Sequence, residues 1–165
     1  MYQNIGEFHC KVDSKGRIRL PTGLLRKYDE GMEFVINRGL EKCLNLYPRP
    51  VWNNIAAKVN KLNSYNKKIR AFIRYIHSGA SDAKPDGSDR ILLSKIQMEH
   101  AGIDKEVILV AVNNYIEIWD KETYIAELAK ASEELENMSD IANDVSNNID
   151  FSGGIDNNNS DNKEA

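Results

Sequence analysis

The chain has 165 residues, of which 41% are hydrophobic and 28% are charged, and its net charge is −3. This length allows one sizeable core or two small ones, and it excludes a large multidomain enzyme. No apolar run approaches the length of a bilayer span, and the opening MYQNIGEF lacks the basic and apolar regions of a signal peptide. We therefore expect a globular cytoplasmic protein with no membrane partner.

The charged residues are distributed unevenly along the chain. Residues 1–80 contain 15 Lys and Arg against 6 Asp and Glu, a net charge of +9, whereas residues 81–165 contain 7 against 19, a net charge of −12. This asymmetry predicts a basic surface and an acidic tail, although two ordinary solvated faces would give the same counts. The mildly acidic overall charge therefore does not exclude an anionic partner.

The first predicted element is a strand in GEFHCKVD. Apolar side chains at Phe8, Cys10 and Val12 alternate with polar ones, which predicts one face in the core and the other in water. A tight turn follows in DSKGR, because Gly16 can supply a positive φ and Asp13 can bond backbone amides across the turn.

Four further elements complete this first unit, which we assign to residues 5–50. A second strand is followed by a short helical turn that begins at Pro21 and Thr22. Two more short strands are predicted in FVI and CLNLY.

A basic segment, residues 51–79, links this unit to the rest of the chain. Its apolar residues recur at helical spacing, and NSYN at 63–66 divides two predicted helices. No acidic residue occurs between residues 50 and 80, where six cations lie at Lys58, Lys61, Lys67, Lys68, Arg70 and Arg74.

Residues 80–121 repeat the first unit at a shift of 73 residues. Asp13 then aligns with Asp86 and Arg17 with Arg90, and the apolar runs that follow also align. In this second copy, Ser94 with Gln97 forms a predicted capping box and Gly102 a helix stop. A copy of about 45 residues is too small to bury an adequate core alone, so we expect the two copies to interleave their strands. The fold class is therefore α+β and rich in β-structure.

Two segments follow the second copy. Residues 122–136 are predicted to form a last helix, and residues 137–165, rich in Asn and Asp, have too few apolar residues to order themselves. We predict that this tail is disordered. A further hypothesis, motivated by charge alone, is that the tail shields the basic loops.

The D-x-x-x-R frame has a structural and a functional interpretation. A plain Asp–Arg pair would brace the turn, whereas a guanidinium aimed by a carboxylate suits phosphate or guanine. Because the frame occurs twice on a basic half, we predict a DNA-binding surface. Its candidate residues are Lys11, Asp13, Lys15, Arg17, Arg19, Asp86 and Arg90.

The second copy departs from the first at three positions that matter for the turn and the charge. Asp89 replaces Gly16, Leu92 replaces Arg19 and Ser94 replaces Pro21. Asp tolerates a left-handed backbone better than most residues, and we expect Gly87 to take over the turning role, so the turn can survive. A carboxylate beside the second arginine repels phosphate, so we expect the first loop to dominate DNA contact.

Catalytic and metal-binding patterns are missing from the sequence. The three histidines are scattered, without metal-ligand spacing. Cys10 and Cys43 lie in apolar alternating stretches and are predicted as buried thiols. We therefore expect no enzyme, no cofactor and no small-molecule substrate.

Several stretches resemble a known family. GEFHCKVDSKGRIRLP, CLNLYP followed by tryptophan at position 52, the second D-x-x-x-R frame and AGIDKEVILVAVNNYIEIWD are similar to the MraZ family of bacterial transcriptional regulators, of the SpoVT-AbrB class. The likeness spans residues 1–125. It implies two tandem swapped-hairpin half-domains, packed as an intramolecular pseudo-dimer barrel with flanking helices.

The resemblance also implies a function and an assembly. Subunits would form a homo-oligomeric ring that binds short repeated elements of double-stranded promoter DNA, with the nucleoid as its site of action. The regulated promoter would be that of the family's own gene, at the head of the division and cell-wall cluster, usually with repression. In the family the D-x-x-x-R loops face DNA, which maps onto Asp13, Lys15 and Arg17, and onto Asp86 and Arg90.

Three alternatives remain open. An antitoxin of the same class typically carries one barrel copy, so the duplication argues against it. An oligomeric scaffold whose basic helices bind acidic proteins predicts that Arg17 is dispensable for DNA binding. A hydrolase on an unfamiliar fold has no visible site.

Overall fold

The computed structural model describes residues 5–137 and residue 143. The predicted disordered tail therefore lies outside the described residues, except for residues 137 and 143. The chain divides into two units, residues 1–127 and 128–165. The first unit carries the sheet and everything that positions the candidate site.

Each copy of the repeat has the same order of elements, strand–strand–helix–strand–strand. In the first copy these are β1 Glu7–Lys11, β2 Arg17–Arg19, α1 Thr22–Leu25, β3 Phe34–Arg38 and β4 Leu44–Pro48. In the second they are β5 Ser81–Ala83, β6 Arg90–Leu92, α4 Lys95–Ala101, β7 Glu106–Val112 and β8 Tyr115–Asp120. The copies are linked by α2 Arg49–Asn60 and α3 Lys67–Gly79, and α5 Lys121–Asn137 follows them.

Local signals position several of these boundaries. The side chain of Ser94 accepts a hydrogen bond from the backbone N–H of Gln97, whose own side chain accepts one from the backbone N–H of Ser94. Gly102 ends this helix with a φ of +62°. The predicted capping box and stop of α4 are therefore confirmed, as is the division between α2 and α3 at NSYN.

Strands of the two copies pair with one another. The six-stranded antiparallel sheet has the order β1-β7-β8-β4-β3-β5, and β2 pairs with β6 in a separate two-stranded ribbon. Four pairings, β1–β7, β3–β5, β4–β8 and β2–β6, therefore join one copy to the other. Among the strands of the described residues, the pairings β3–β4 and β7–β8 lie within a copy.

The register reveals a two-fold pseudo-symmetry. Phe8 pairs with Leu109, and their repeat equivalents Ser81 and Ile36 pair likewise. The axis passes through the ribbon, where Ile18 pairs with its own equivalent. The duplication thus places the two D-x-x-x-R loops at opposite ends of one ribbon.

No closed barrel is found in the part of the chain that the structure describes. The six-stranded sheet ends at β1 on one side and at β5 on the other. An isolated bridge between Val12 and Ile18 connects the end of β1 to the ribbon.

Both copies contribute to one hydrophobic core. The ribbon residues Ile18 and Ile91 are 0% and 1% exposed, and they lie in the same cluster as Phe34, Leu46 and Leu109. Burying an isoleucine side chain contributes about 1.5–3 kcal/mol. Because each copy supplies only half of this cluster, neither half of the ribbon has a core without the other copy.

The basic helix α3 buries none of its side chains. Asn66 caps its start by accepting hydrogen bonds from two backbone amides, and Asn37 donates to the carbonyl of Ile76 near its end. Its apolar face remains open, with Phe72 45% exposed.

Candidate nucleic-acid interface

The first loop is closed by the carboxylate of Asp13. Its Oδ1 accepts hydrogen bonds from the backbone amides of Lys15 and Arg17, each at 2.9 Å, and its Oδ2 accepts from Nε of Arg17 at 2.8 Å. The backbone N–H of Gly16 donates to the Asp13 carbonyl at 3.0 Å, and Gly16 has a φ of +78°. The frame therefore both forms the turn and fixes the direction of the guanidinium.

The second loop repeats this geometry around Asp86. Its Oδ1 accepts from the backbone amides of Ser88 and Arg90, and its Oδ2 accepts from Nε of Arg90, all at 2.9 Å. Asp89 adopts a φ of +60°, whereas Gly87 is not among the residues with positive φ. The suggestion that Gly87 takes over the turning role is therefore wrong, because Asp89 itself accepts the left-handed conformation.

Both carboxylates stay ionised well into the acid range. The hydrogen bond from the backbone N–H of Arg17, then those from its side chain and from Lys15, lower the pKa of Asp13 to about 2. The backbone amides of Arg90 and Ser88 lower the pKa of Asp86 in the same way. The loops therefore keep their shape across the physiological pH range.

The ribbon places three arginines on its outward face. Arg17 pairs with Leu92, Ile18 with Ile91 and Arg19 with Arg90. Since side chains alternate along a strand, the buried isoleucines face the core and the other four side chains face away from it. Two like charges thus lie directly opposite each other.

The guanidiniums of Arg17 and Arg90 keep part of their bonding capacity free. Each uses Nε to reach its aspartate, and among the described residues neither makes a hydrogen bond through its terminal nitrogens. Their side chains are partly exposed. This leaves two aimed, planar donor groups at opposite ends of the ribbon.

The predicted residues are only partly brought together. Arg17, Arg19 and Arg90 share the ribbon face, and Lys15 lies on the adjoining loop. Lys11 lies instead on β1, paired across the sheet with Glu106. It is therefore part of the six-stranded sheet and not of the ribbon.

Sequence reasoning treated Leu92 only as a lost charge. Its side chain is 60% exposed on the ribbon and pairs with Arg17. The signal that could have found it is its alignment with Arg19, which predicts the outward face.

Two cavities flank the ribbon at positions related by the pseudo-symmetry. One, of about 450 Å³, lies between α1 and the second loop and is lined by Asp29, Glu30, Asp86 and Asp89 among others. The other, of about 700 Å³, lies between α4 and the first loop and includes Lys15 and Lys95. Arg26 and Lys84 also line the first cavity, and Asp13, Glu99 and Asp104 also line the second, so both linings carry charges of both signs.

Other kinds of site are not found among the described residues. Within them, no three His, Cys, Asp or Glu side chains are grouped so as to hold a metal ion. Burial raises the pKa of Cys10 to about 11 and that of Cys43 to about 12, so both thiols stay protonated. None of the helices described is at once long and apolar enough for a membrane span.

The fold and ribbon define a tandem-repeat α+β protein whose two copies share one sheet and one core. A family model described as "MraZ protein, putative antitoxin-like" matches residues 5–75 and again residues 76–145. The chain belongs to the MraZ family, and the resemblance seen in the sequence is confirmed.

Relatives in several bacteria carry the name "Transcriptional regulator MraZ". The protein of Christiangramia forsetii is 38% identical over 156 residues, which cover 93% of this chain and 99% of the relative. The protein of Pediococcus pentosaceus is 37% identical, over 89% of this chain and 97% of the relative. The protein of Acetivibrio thermocellus is 36% identical, over 70% of this chain and 80% of the relative. The family is one of transcriptional regulators and not of enzymes.

Proposed function

We propose that this chain regulates transcription by binding double-stranded DNA through the outward face of the β2–β6 ribbon and the two D-x-x-x-R loops. The observation that carries the proposal is the placing of Arg19 directly opposite Arg90, with Arg17 on the same face. Like charges directly opposite each other in a sheet are destabilising. An anionic partner on this face removes that repulsion.

The dimensions and chemistry of the face suit the major groove. A two-stranded ribbon fits this groove, which is about 12 Å wide. Arg17 and Arg90 each present a free guanidinium edge, suited to the O6 and N7 acceptors of guanine. Lys11, Lys15 and Arg19 supply attraction to phosphates, and Asp13 and Asp86 orient the arginines behind the face.

We propose promoter DNA as the target and autoregulation as the outcome. The family resemblance implies short repeats upstream of the protein's own gene, in the division and cell-wall cluster, with repression as the usual effect. The protein then acts in the cytoplasm, at the nucleoid. A reporter driven by this upstream region, in cells with and without the gene, tests the proposal, since repression requires higher expression without it.

A ring of subunits is proposed as the working assembly. Supporting it, α3 leaves apolar side chains open to solvent at Phe72 and Tyr75, and Tyr65 before it is also exposed. Several loops that meet several DNA repeats gain affinity by avidity. Native mass spectrometry of the wild type and of Phe72→Glu tests this, because a monomeric wild type contradicts the proposal.

The interleaved strands are proposed to form the swapped-hairpin barrel that the family resemblance implies. Four pairings between the copies and the bridge from Val12 to Ile18 support this. A crystal structure in which the outer edge of β1 is hydrogen-bonded along β2 would support the closed barrel. A crystal structure in which that edge of β1 has no strand partner would contradict it.

The binding experiment compares three proteins on two duplexes. Wild type, Arg17→Ala and Arg74→Ala are titrated onto DNA from upstream of the gene and onto a scrambled duplex, at several salt concentrations. Arg74 is an exposed cation on α3, so its variant controls for loss of charge alone. We expect Arg17→Ala to lose preference for the upstream DNA and Arg74→Ala to retain it.

The scaffold alternative is favoured by one observation, the absence of acidic residues between positions 50 and 80. It predicts equal, weak binding to both duplexes, indifferent to Arg17. The antitoxin alternative shares the word antitoxin with the matched family description. It predicts a partner protein that co-purifies with the chain and requires no preference for the upstream DNA.

A further inference from the structure

The two ends of the ribbon have matching backbones and different charges. Residues 11–19 carry four positive side chains and one negative, whereas the equivalent residues 84–92 carry two of each. Ser88, Asp89 and Leu92, in the positions of Lys15, Gly16 and Arg19, each account for one unit of the difference, and of the three only Asp89 adds a negative charge. The pseudo-symmetry therefore relates the backbones of the two loops but not the charges of their side chains.

The fold does not require a carboxylate at this position. Asp89 has a φ of +60° and its backbone N–H donates to the Asp86 carbonyl at 2.9 Å, as Gly16, with a φ of +78°, donates to Asp13 at 3.0 Å. The left-handed region disfavours every residue with a Cβ, although Asp tolerates it better than most. Glycine meets the same backbone demand in the first loop without that strain.

The Asp89 side chain has no structural task among the described residues. The residue is exposed, and within that part of the chain its carboxylate makes neither a hydrogen bond nor an ion pair. The neighbouring Asp86 differs, because its two oxygens hold the turn and Arg90. Asp89 thus combines a strained backbone with an exposed carboxylate that has no partner among the described residues, on a loop proposed to face DNA.

The chemistry of a carboxylate restricts what it can meet on DNA. An ionised carboxyl group only accepts hydrogen bonds, so it repels phosphate oxygens and the keto groups of guanine and thymine. In the major groove it finds donors only in the exocyclic amino groups of cytosine and adenine. Asp29 and Glu30 line the adjoining cavity, where Arg26 and Lys84 offset their charge, so the rejection of phosphate is assigned to Asp89 itself.

We propose that Asp89 is a specificity-determining residue, which accepts a hydrogen bond from a base with an exocyclic amino group at one base pair of the bound element. The first loop then supplies most of the affinity, and the second loop supplies discrimination. This inference rests on the proposed DNA-binding function and deepens it.

The test measures affinity across a set of duplexes by fluorescence anisotropy. The set contains the upstream DNA, a scrambled duplex, and versions of the upstream DNA in which each base pair is transverted in turn. Wild type is compared with Asp89→Asn, which keeps the size and the tolerance for a left-handed backbone, and with Asp89→Gly, which copies the first loop. Asp29→Asn, an exposed carboxylate beside the loop, controls for loss of charge.

We expect both Asp89 variants to bind the scrambled duplex more tightly and to lose about tenfold in preference for the upstream DNA. One base pair that wild type discriminates becomes tolerant of transversion in Asp89→Gly. Asp29→Asn tightens binding to all duplexes alike and leaves the transversion profile unchanged.

Two results would overturn the proposal while leaving DNA binding intact. In the first, the Asp89 variants tighten binding to all duplexes by the same factor, with the wild-type profile preserved. In the second, Asp29→Asn changes the profile as the Asp89 variants do. A wild type without preference for the upstream DNA rejects the proposed function as well, so the two failures are distinguishable.

Discussion

The isoleucine pair at the centre of the ribbon offers a test of the shared core. Ile18 and Ile91 pair with each other on the pseudo-symmetry axis and are 0% and 1% exposed. Replacing a buried isoleucine with alanine removes its transfer free energy and leaves a cavity, at a cost of about 2–5 kcal/mol. Because the two sites are equivalent by symmetry, Ile18→Ala and Ile91→Ala should cost similar amounts.

The assay is urea unfolding followed by tryptophan fluorescence, at one fixed protein concentration because self-association shifts apparent stability. With an m-value of about 2 kcal/mol/M, each variant should lower the midpoint by about 1–2.5 M. Leu92→Ala is the matched control, since Leu92 neighbours Ile91 on the same strand and is 60% exposed. It should change stability by about 0.5 kcal/mol or less.

The double variant tests whether both copies share one core. Side chains in contact couple by about 0.5–3 kcal/mol, whereas independent sites add. We expect Ile18→Ala with Ile91→Ala to deviate from additivity by such an amount. Strict additivity, or an Ile18→Ala variant as stable as the Leu92→Ala control, would refute the argument that neither copy has a core of its own.

Three further results are expected. Gly16→Ala should lower the melting temperature, because its φ is +78° and a Cβ would lie 3.1 Å from the Leu93 carbonyl oxygen, whereas Asp89→Gly should not lower it. The lowered pKa of Asp13, about 2, contributes stability that is complete above about pH 4 and is lost as the pH falls towards 2, so Asp13→Asn should flatten acid unfolding curves in that window. Ser94→Ala should cost about 1 kcal/mol in urea unfolding, because it removes the cap of α4. Unchanged values for Gly16→Ala, Asp13→Asn or Ser94→Ala would contradict the corresponding contact, as would a lowered melting temperature for Asp89→Gly.

Much of the local structure could be predicted from particular residues. The capping box at Ser94, the stop at Gly102 and the break at NSYN follow from side chains that bond backbone groups a few positions away. The turn at Asp13 has the same origin, since its carboxylate bonds amides two and four residues on. Such interactions join residues a few positions apart, so a short stretch of sequence is enough to predict them.

The candidate site could be predicted only in part. Repetition of the D-x-x-x-R frame singled out Arg17 and Arg90, but it could not show that β1, which carries Lys11, pairs with β7 in the six-stranded sheet and not with the ribbon. It also left open whether Gly87 or Asp89 turns the second loop, because both residue types can adopt a positive φ. The backbone of the whole loop decides which residue has the positive φ, and in the structure that residue is Asp89.

The sequence alone determined the duplication, the type of most elements and the two turns, since these depend on periodicity and on bonds between near neighbours. Only the tertiary structure decided that β2 pairs with β6, which brings Arg19 opposite Arg90 across more than 70 residues of chain. Pairing of this kind depends on which apolar faces share a core, and many registers satisfy the same alternation. The arginine face and the exposed Leu92 exist only in the one register that buries Ile18 against Ile91.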